Sequence, residues 1–217
     1  MCIIRTATRV MACLLLLTNL PVLAGETASY RITGAPGEST LTIWYGDPWH
    51  VRVDTHMAGK LVSSMRLIDK KVYLVNQGQV IDLEQLRGLG GNGAPTLPAG
   101  GLPAGIDTVA RIKNTGRKTR VAGIEGEVFE ISYASGRHDE AVLSRDSHLR
   151  ALQLGWRQLG QHLGQAMGNG GFATLTQKFK DPKLKQYALL RYAGALELLK
   201  LESGPIPDSV FSLPRQP

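Results

Sequence analysis

From Ser29 onward, apolar positions recur every second residue in short runs broken by turn residues. Ser29 to Gly34 and Thr40 to Tyr45 are two such runs, separated by Ala35-Pro-Gly37. In the second, Leu41, Ile43 and Tyr45 share one face, while Thr40, Thr42 and Trp44 share the other. Asp47-Pro48 breaks the pattern and Trp49 to Thr55 restarts it. Lys60 to Ile68, Val72 to Asn76 and Gln79 to Leu83 follow, divided by Asp69-Lys-Lys71 and Gln77-Gly78. Short strands at this spacing predict an antiparallel meander, sandwich or barrel rather than parallel βαβ units.

Leu86 to Gly105 departs from the pattern, being rich in Gly and Pro and containing Gly88-Leu-Gly-Gly-Asn-Gly93. A phosphate-cradling loop needs a buried strand leading in and a helix opening out, and this stretch has neither signal beside it. It predicts a long loop at the rim of the domain or a lid over it. Thr108 to Asn114 then resumes the sheet.

The chain is organised around Arg117 to Leu149. Phe129, Ile131 and Tyr133 alternate with Glu130 and Ser132, so one face of this strand is buried. Ser135-Gly136 marks a turn, and His138 to Ser144 returns as the hairpin partner. From Asp146 the period changes: Leu149, Leu152, Trp156, Leu159, Leu163 and Met167 recur at three and four residues, the stripe of a helix lying over the sheet. Ser144, Asp146 or Ser147 can cap it. Gly155, Gly160, Gly164 and Gly168 interrupt it, each at about 1 kcal/mol relative to Ala. The last three leave one helical face bare, which permits close backbone approach.

Asn169-Gly-Gly171 ends the helix, Leu175 to Lys185 is amphipathic and basic, and Gln186 to Leu201 predicts a long strand or a bent pair. Pro205, Pro207 and Pro214 close the domain around Val210-Phe211, with the Phe211 ring expected to plug the sheet edge. The fold class expected is α+β, mainly β.

The N-terminus changes the picture. Residues 1–24 carry Arg5 and Arg9, then the apolar run Val10 to Leu17, then Pro21-Val-Leu-Ala24, the pattern of a secretory signal peptide cut after Ala24. The run is too short to span a bilayer. A lipoprotein cleavage box at Cys13 is disfavoured, because the apolar Leu14 to Leu17 follows the cysteine instead of preceding it. Residues 25–217 are then expected as one periplasmic domain. Cys2 and Cys13 both fall in the removed segment, so no disulfide, zinc-thiolate site or cysteine nucleophile is expected.

The formal charge is +7; with two of the 25 Lys and Arg removed against 18 Asp and Glu, it becomes +5. Lys113, Arg117, Lys118 and Arg120 cluster, as do Lys178, Lys180, Lys183 and Lys185. For an exported chain these point to a solvated face or an anionic membrane surface, not to nucleic acid. Catalytic signals are missing: no two of the five histidines stand at i, i+4, and no Gly-x-Ser-x-Gly elbow or Ser-x-x-Lys pair occurs. His138-Asp139-Glu140 alternates across a strand and does not converge. No catalytic residue, metal or cofactor is expected, and nothing in the sequence fixes the oligomeric state.

Trp49 to Asp54 (WHVRVD), Leu67 to Asn76 (LIDKKVYLVN), Thr119 to Gly123 (TRVAG) with the following EVFEISY, and Phe211-Ser-Leu-Pro214 resemble exported bacterial domains of unknown function similar to the lipoprotein-carrier half-barrel of LolA and LolB. The resemblance implies a curved antiparallel sheet, a half-barrel, with a helix covering its concave apolar face, an arrangement that holds acyl chains in the carriers. This chain lacks the carriers' N-terminal helix, and it lacks the cysteine often found just after the Ala-Gly. The expectation is a non-enzymatic periplasmic module that takes a lipid, lipoprotein acyl chain or other amphipathic ligand between sheet and helix. Phe129, Ile131, Tyr133, Trp156, Leu159 and Leu163 are expected to line that cavity. The alternative is a structural, interaction or sensor protein of the envelope with a filled core.

Overall fold

The computed structural model of the chain describes residues 22–33, 39–88, 109–166 and 184–214. The alternating segments form β1 (Val22–Ile32), β2 (Ser39–Asp47), β3 (His50–Met57), β4 (Lys60–Ile68), β5 (Lys71–Asn76) and β6 (Gln79–Asp82). A short helix, α1 (Leu83–Gly88), follows, and then β7 (Val109–Val121), β8 (Ile124–Tyr133) and β9 (His138–Ser144). Helix α2 (Ser147–Ala166) precedes β10 (Ala188–Tyr192) and β11 (Leu196–Pro207). All eleven strands join one open antiparallel sheet in the order β6-β5-β4-β3-β2-β1-β11-β10-β9-β8-β7. The protein is mainly β, and its sheet is open as a half-barrel requires.

Tight turns with two successive residues at positive φ join the strands in five of the ten pairings. Ala122 (50°) and Gly123 (81°) join β7 to β8, and Ala193 (48°) and Gly194 (68°) join β10 to β11. This geometry matches the right-handed twist of the strands it connects. Every pairing joins strands adjacent in sequence except β1 with β11, which runs from Val22 opposite Pro207 to Ile32 opposite Leu196. The β10–β11 junction is narrow, with only Arg191–Glu197 and Tyr192–Leu196 paired. The sheet thus has two leaves, β1–β6 with β11, and β7–β10.

Several elements differ from the sequence expectation. Leu86 to Gly88 belong to α1, which begins where the Asp82 carboxylate accepts the Glu84 N–H at 2.9 Å and Leu83 is buried. The rest of the Gly-rich stretch lies outside the described residues, as do Met167, Gly168, Asn169-Gly-Gly171, Ala35-Pro-Gly37 and both cysteines. β7 does not stop at Asn114, because a bulge between Asn114 and Lys118, with Gly116 at φ 77°, carries the strand on to Val121. Of the two forms expected for Gln186 to Leu201, the bent pair is the one found, as the hairpin of β10 and β11. β11 runs on through Pro205 to end at Pro207; it has β1 on one side, and beyond Glu197 β10 no longer pairs with the other, so prolines are tolerated. Phe211 does not plug an edge. It lies edge-on to His50 of β3, an interior strand, at 5.7 Å between ring centroids.

Candidate binding surface

Helix α2 is positioned by its first turn. The Asp146 carboxylate accepts the N–H groups of His148 at 2.9 Å and Leu149 at 3.1 Å, while Ser144 Oγ accepts the Asp146 N–H. Of the candidate caps, Asp146 is the one used. His148 Nδ1 lies 2.7 Å from Glu26 Oε1 on β1 and 3.0 Å from Ser203 Oγ on β11, and the Ser203 hydroxyl donates to Glu26 Oε2. The hydrogen bond to Glu26, followed by its charge, raises the His148 pKa above its ordinary value. Serine, histidine and carboxylate converge here without forming a relay, because both partners meet the same ring nitrogen. The cluster ties the start of α2 to the middle of the sheet.

Beyond this anchor, Leu149, Leu152, Leu159 and Leu163 are each at most 2% exposed and Trp156 is half-buried, as the stripe predicts. They pack on one sheet face with residues from both leaves, among them Tyr30, Val51, Leu67, Leu74, Val128, Val142 and Leu190. The helix touches β1, β2, β3, β5 and β10, so it bridges the narrow junction. Its approach is close at Gly155, where a Cβ would stand 2.4 Å from a Tyr45 ring carbon and 3.2 Å from Val51 Cγ2. Farther along, the Trp49 and His162 rings meet edge-on at 6.0 Å.

The six expected lining residues do not share one space. Trp156, Leu159 and Leu163 belong to the α2 cluster, whereas Phe129, Ile131 and Tyr133 join Ala141, Leu143, Leu184 and Tyr187 in a second cluster. Val128 and Val142, next to Phe129, Ala141 and Leu143 in sequence, face α2, so the second cluster occupies the opposite side of the sheet. Phe129 meets the Tyr187 ring edge-on at 5.2 Å. The Tyr133 hydroxyl is bonded to that of Tyr192, which donates to Asp139 Oδ2 at 3.0 Å. Burial, reinforced by these hydrogen bonds, pushes the Tyr192 hydroxyl pKa upward.

A groove of about 330 Å³ opens where β8 and β9 part, lined by Ile124–Glu127 and Leu143–Asp146. Its carboxylates are engaged: Glu125 with Lys118 at 2.8 Å, Glu127 with Asn114 and with the Tyr187 hydroxyl at 3.1 Å, and Asp146 with α2. Among the described residues, no group of three His, Cys, Asp or Glu could hold a metal ion. None of the described helices is long and apolar enough to cross a membrane.

The basic cluster of the sequence lies on edge strand β7. Arg117 pairs with Glu140 at 2.6 Å and Lys118 with Glu125, while Arg111, Lys113 and Arg120 project exposed. The chain matches no protein-family model and no curated protein.

Proposed function

We propose that this chain is a non-enzymatic binding module of the periplasm that takes a lipid or other amphipathic ligand on the sheet face beneath α2. The observation that carries this reading is an apolar face spanning both leaves and covered at its centre by one glycine-weakened helix. Gly155, Gly160 and Gly164 lower the intrinsic helix preference of α2, so the helix depends on its leucine stripe for stability. An acyl chain that displaced those leucines would find the same apolar surface. Trp156, Leu159 and Leu163 stay in the proposed site, as the part of the cover that moves, while Phe129, Ile131 and Tyr133 belong to the other face. In this reading α2 covers the concave side of a half-barrel, the cations of β7 attract an anionic membrane surface, and the N-terminal pattern accounts for export. The resemblance to lipoprotein carriers points the same way.

A second reading, an envelope scaffold or sensor with a filled core, is favoured by the contact of Gly155 with Tyr45, which leaves no gap at that point. Hydrogen exchange with and without an envelope lipid extract separates the two. In a carrier, amides of Leu152 to Leu163 exchange faster than those of Phe129 to Tyr133, and lipid slows them. Equal protection, unmoved by lipid, refutes the carrier and leaves the scaffold.

A further inference from the structure

On the sheet face turned away from α2, register brings two arginines together. Trp44, Arg52, Arg66 and Tyr73 form one cross-strand row over β2 to β5, and Thr42, Asp54 and Ser64 form the next. Directly opposed like charges destabilise a sheet unless an anion lies between them. Asp54, 2% exposed, is the carboxylate within the pair of rows, and Arg52 occupies both of its oxygens, through Nε at 2.9 Å and Nη2 at 2.6 Å. The third donor of Arg52, Nη1, reaches the Val210 carbonyl at 2.9 Å, and its guanidinium stacks 4.9 Å from the Trp44 ring centre.

Arg66 is left over. It is 7% exposed, and among the described residues its guanidinium makes one long contact, Nε to Ser64 Oγ at 3.4 Å. Burial, and next the Arg52 charge, hold its pKa below the ordinary value, with Asp54 opposing them. A guanidinium keeps its proton regardless, so two neighbouring guanidinium groups share the one carboxylate beside them, the row's other carboxylates, Glu202 and Asp82, standing at its far ends.

We propose that Arg66, its Nε directed to the fully buried Ser64 hydroxyl, binds through its terminal nitrogens an oxyanion of the phosphate type, either free phosphate or the phosphate of a lipid headgroup. The planar fork of Arg66 suits a two-oxygen contact. Because the site lies on the opposite face from α2, it stands or falls independently of the lipid site under the helix.

The test uses thermal melts in inorganic phosphate against chloride at equal ionic strength, and flotation with phosphatidylglycerol vesicles with and without phosphate as competitor. Phosphate near saturation should raise the wild-type Tm by roughly 5 °C. Arg66→Gln should abolish the shift, and Arg66→Lys, which keeps the charge but loses the fork, should lose most of it. A phosphate shift together with displacement from vesicles supports a site open to both sources. Vesicle binding that depends on Arg66 without a phosphate shift assigns the site to a headgroup. Equal phosphate shifts in wild type and Arg66→Gln, or no shift together with unchanged vesicle binding, overturn the proposal. Should Arg66→Gln fail to fold, Arg66→Lys decides by the same readouts. Lys60→Gln, at an exposed cation outside β7, controls for diffuse attraction and should leave the phosphate shift in place.

Discussion

Gly155→Ala puts the docking of α2 to a direct test. In the middle of a helix the substitution alone favours folding by up to about 1 kcal/mol. Here the new methyl would stand 2.4 Å from Tyr45 Cδ2, 3.1 Å from Cε2 and 3.2 Å from Val51 Cγ2. Ordinary carbon contacts lie near 3.5–4.0 Å. Val51 is fully buried and cannot retreat, so the Tyr45 ring must swing or the helix must lift. Overpacking of this kind costs about 1–3 kcal/mol, which leaves a net loss of about 1 kcal/mol and a Tm lower by roughly 2–4 °C. Urea melts followed by circular dichroism measure it. In a Tyr45→Ala background the obstacle is gone, and the same substitution should become stabilising, so the double-mutant cycle changes sign. If Gly155→Ala stabilises the wild-type background as well, α2 does not rest on Tyr45 and the packing argument fails.

Two further predictions concern the opposite sheet face and the anchor of α2. Phe129→Ala should cost about 3–5 kcal/mol in urea melts, and the exposed Glu130→Ala little; the reverse ranking would mean that β8 presents its other parity to the core. The raised His148 pKa means that its pairing with Glu26 contributes in full below the ordinary value of 6.5 and is lost as pH climbs through the higher folded-state value. Beside Glu26, the groups around this imidazole are Asp146 at the helix cap and Ser203. The stability difference between wild type and Glu26→Gln should therefore be largest near pH 5.5 and shrink above pH 6.5, by urea midpoints; a difference independent of pH would show that the pair is not coupled to folding.

The strands were legible wherever turn residues marked both ends of an alternating run. Lys60–Ile68 and His138–Ser144 form as their patterns predict, and the stripe from Leu149 to Leu163 is the buried face of α2. Alternation gives the parity of a strand but not the side of the sheet to which a parity belongs. In β9, Ala141, Val142 and Leu143 are all buried, and only the pairing through β10 and β11 decides which of them meet α2. Phe129, Ile131 and Tyr133 were legible as buried for this reason, yet not as separated from Trp156. Arg52 and Arg66 stand on the two arms of one hairpin and are brought opposite each other by the β3–β4 register, bulge included, which alternation alone does not give. The prolines of β11 resemble terminators because a sequence does not reveal that one side of a strand is open. Asp82 ahead of Leu83-Glu84 was the available cue for α1, a cap signal hidden behind the preceding strand.

The pairing of β1 with β11 has a consequence for how the chain comes to be folded. Eight of the ten strand pairings are hairpins that form on the microsecond scale of such events, and the ninth, β9 with β10, closes over the connection that carries α2. The tenth must bring Ile32 to Leu196 and Gly25 to Gly204, a closure slowed by its sequence separation. During synthesis β11 is made after the ten other strands of the sheet, so β1 waits as an edge with unpaired backbone groups, open to a wrong partner. Helix α2 waits with it, because its resting surface spans β1 and β10 and is incomplete until β11 has joined them. A strand made late, β11, is therefore the one that removes the misassembly hazard at the centre of the sheet.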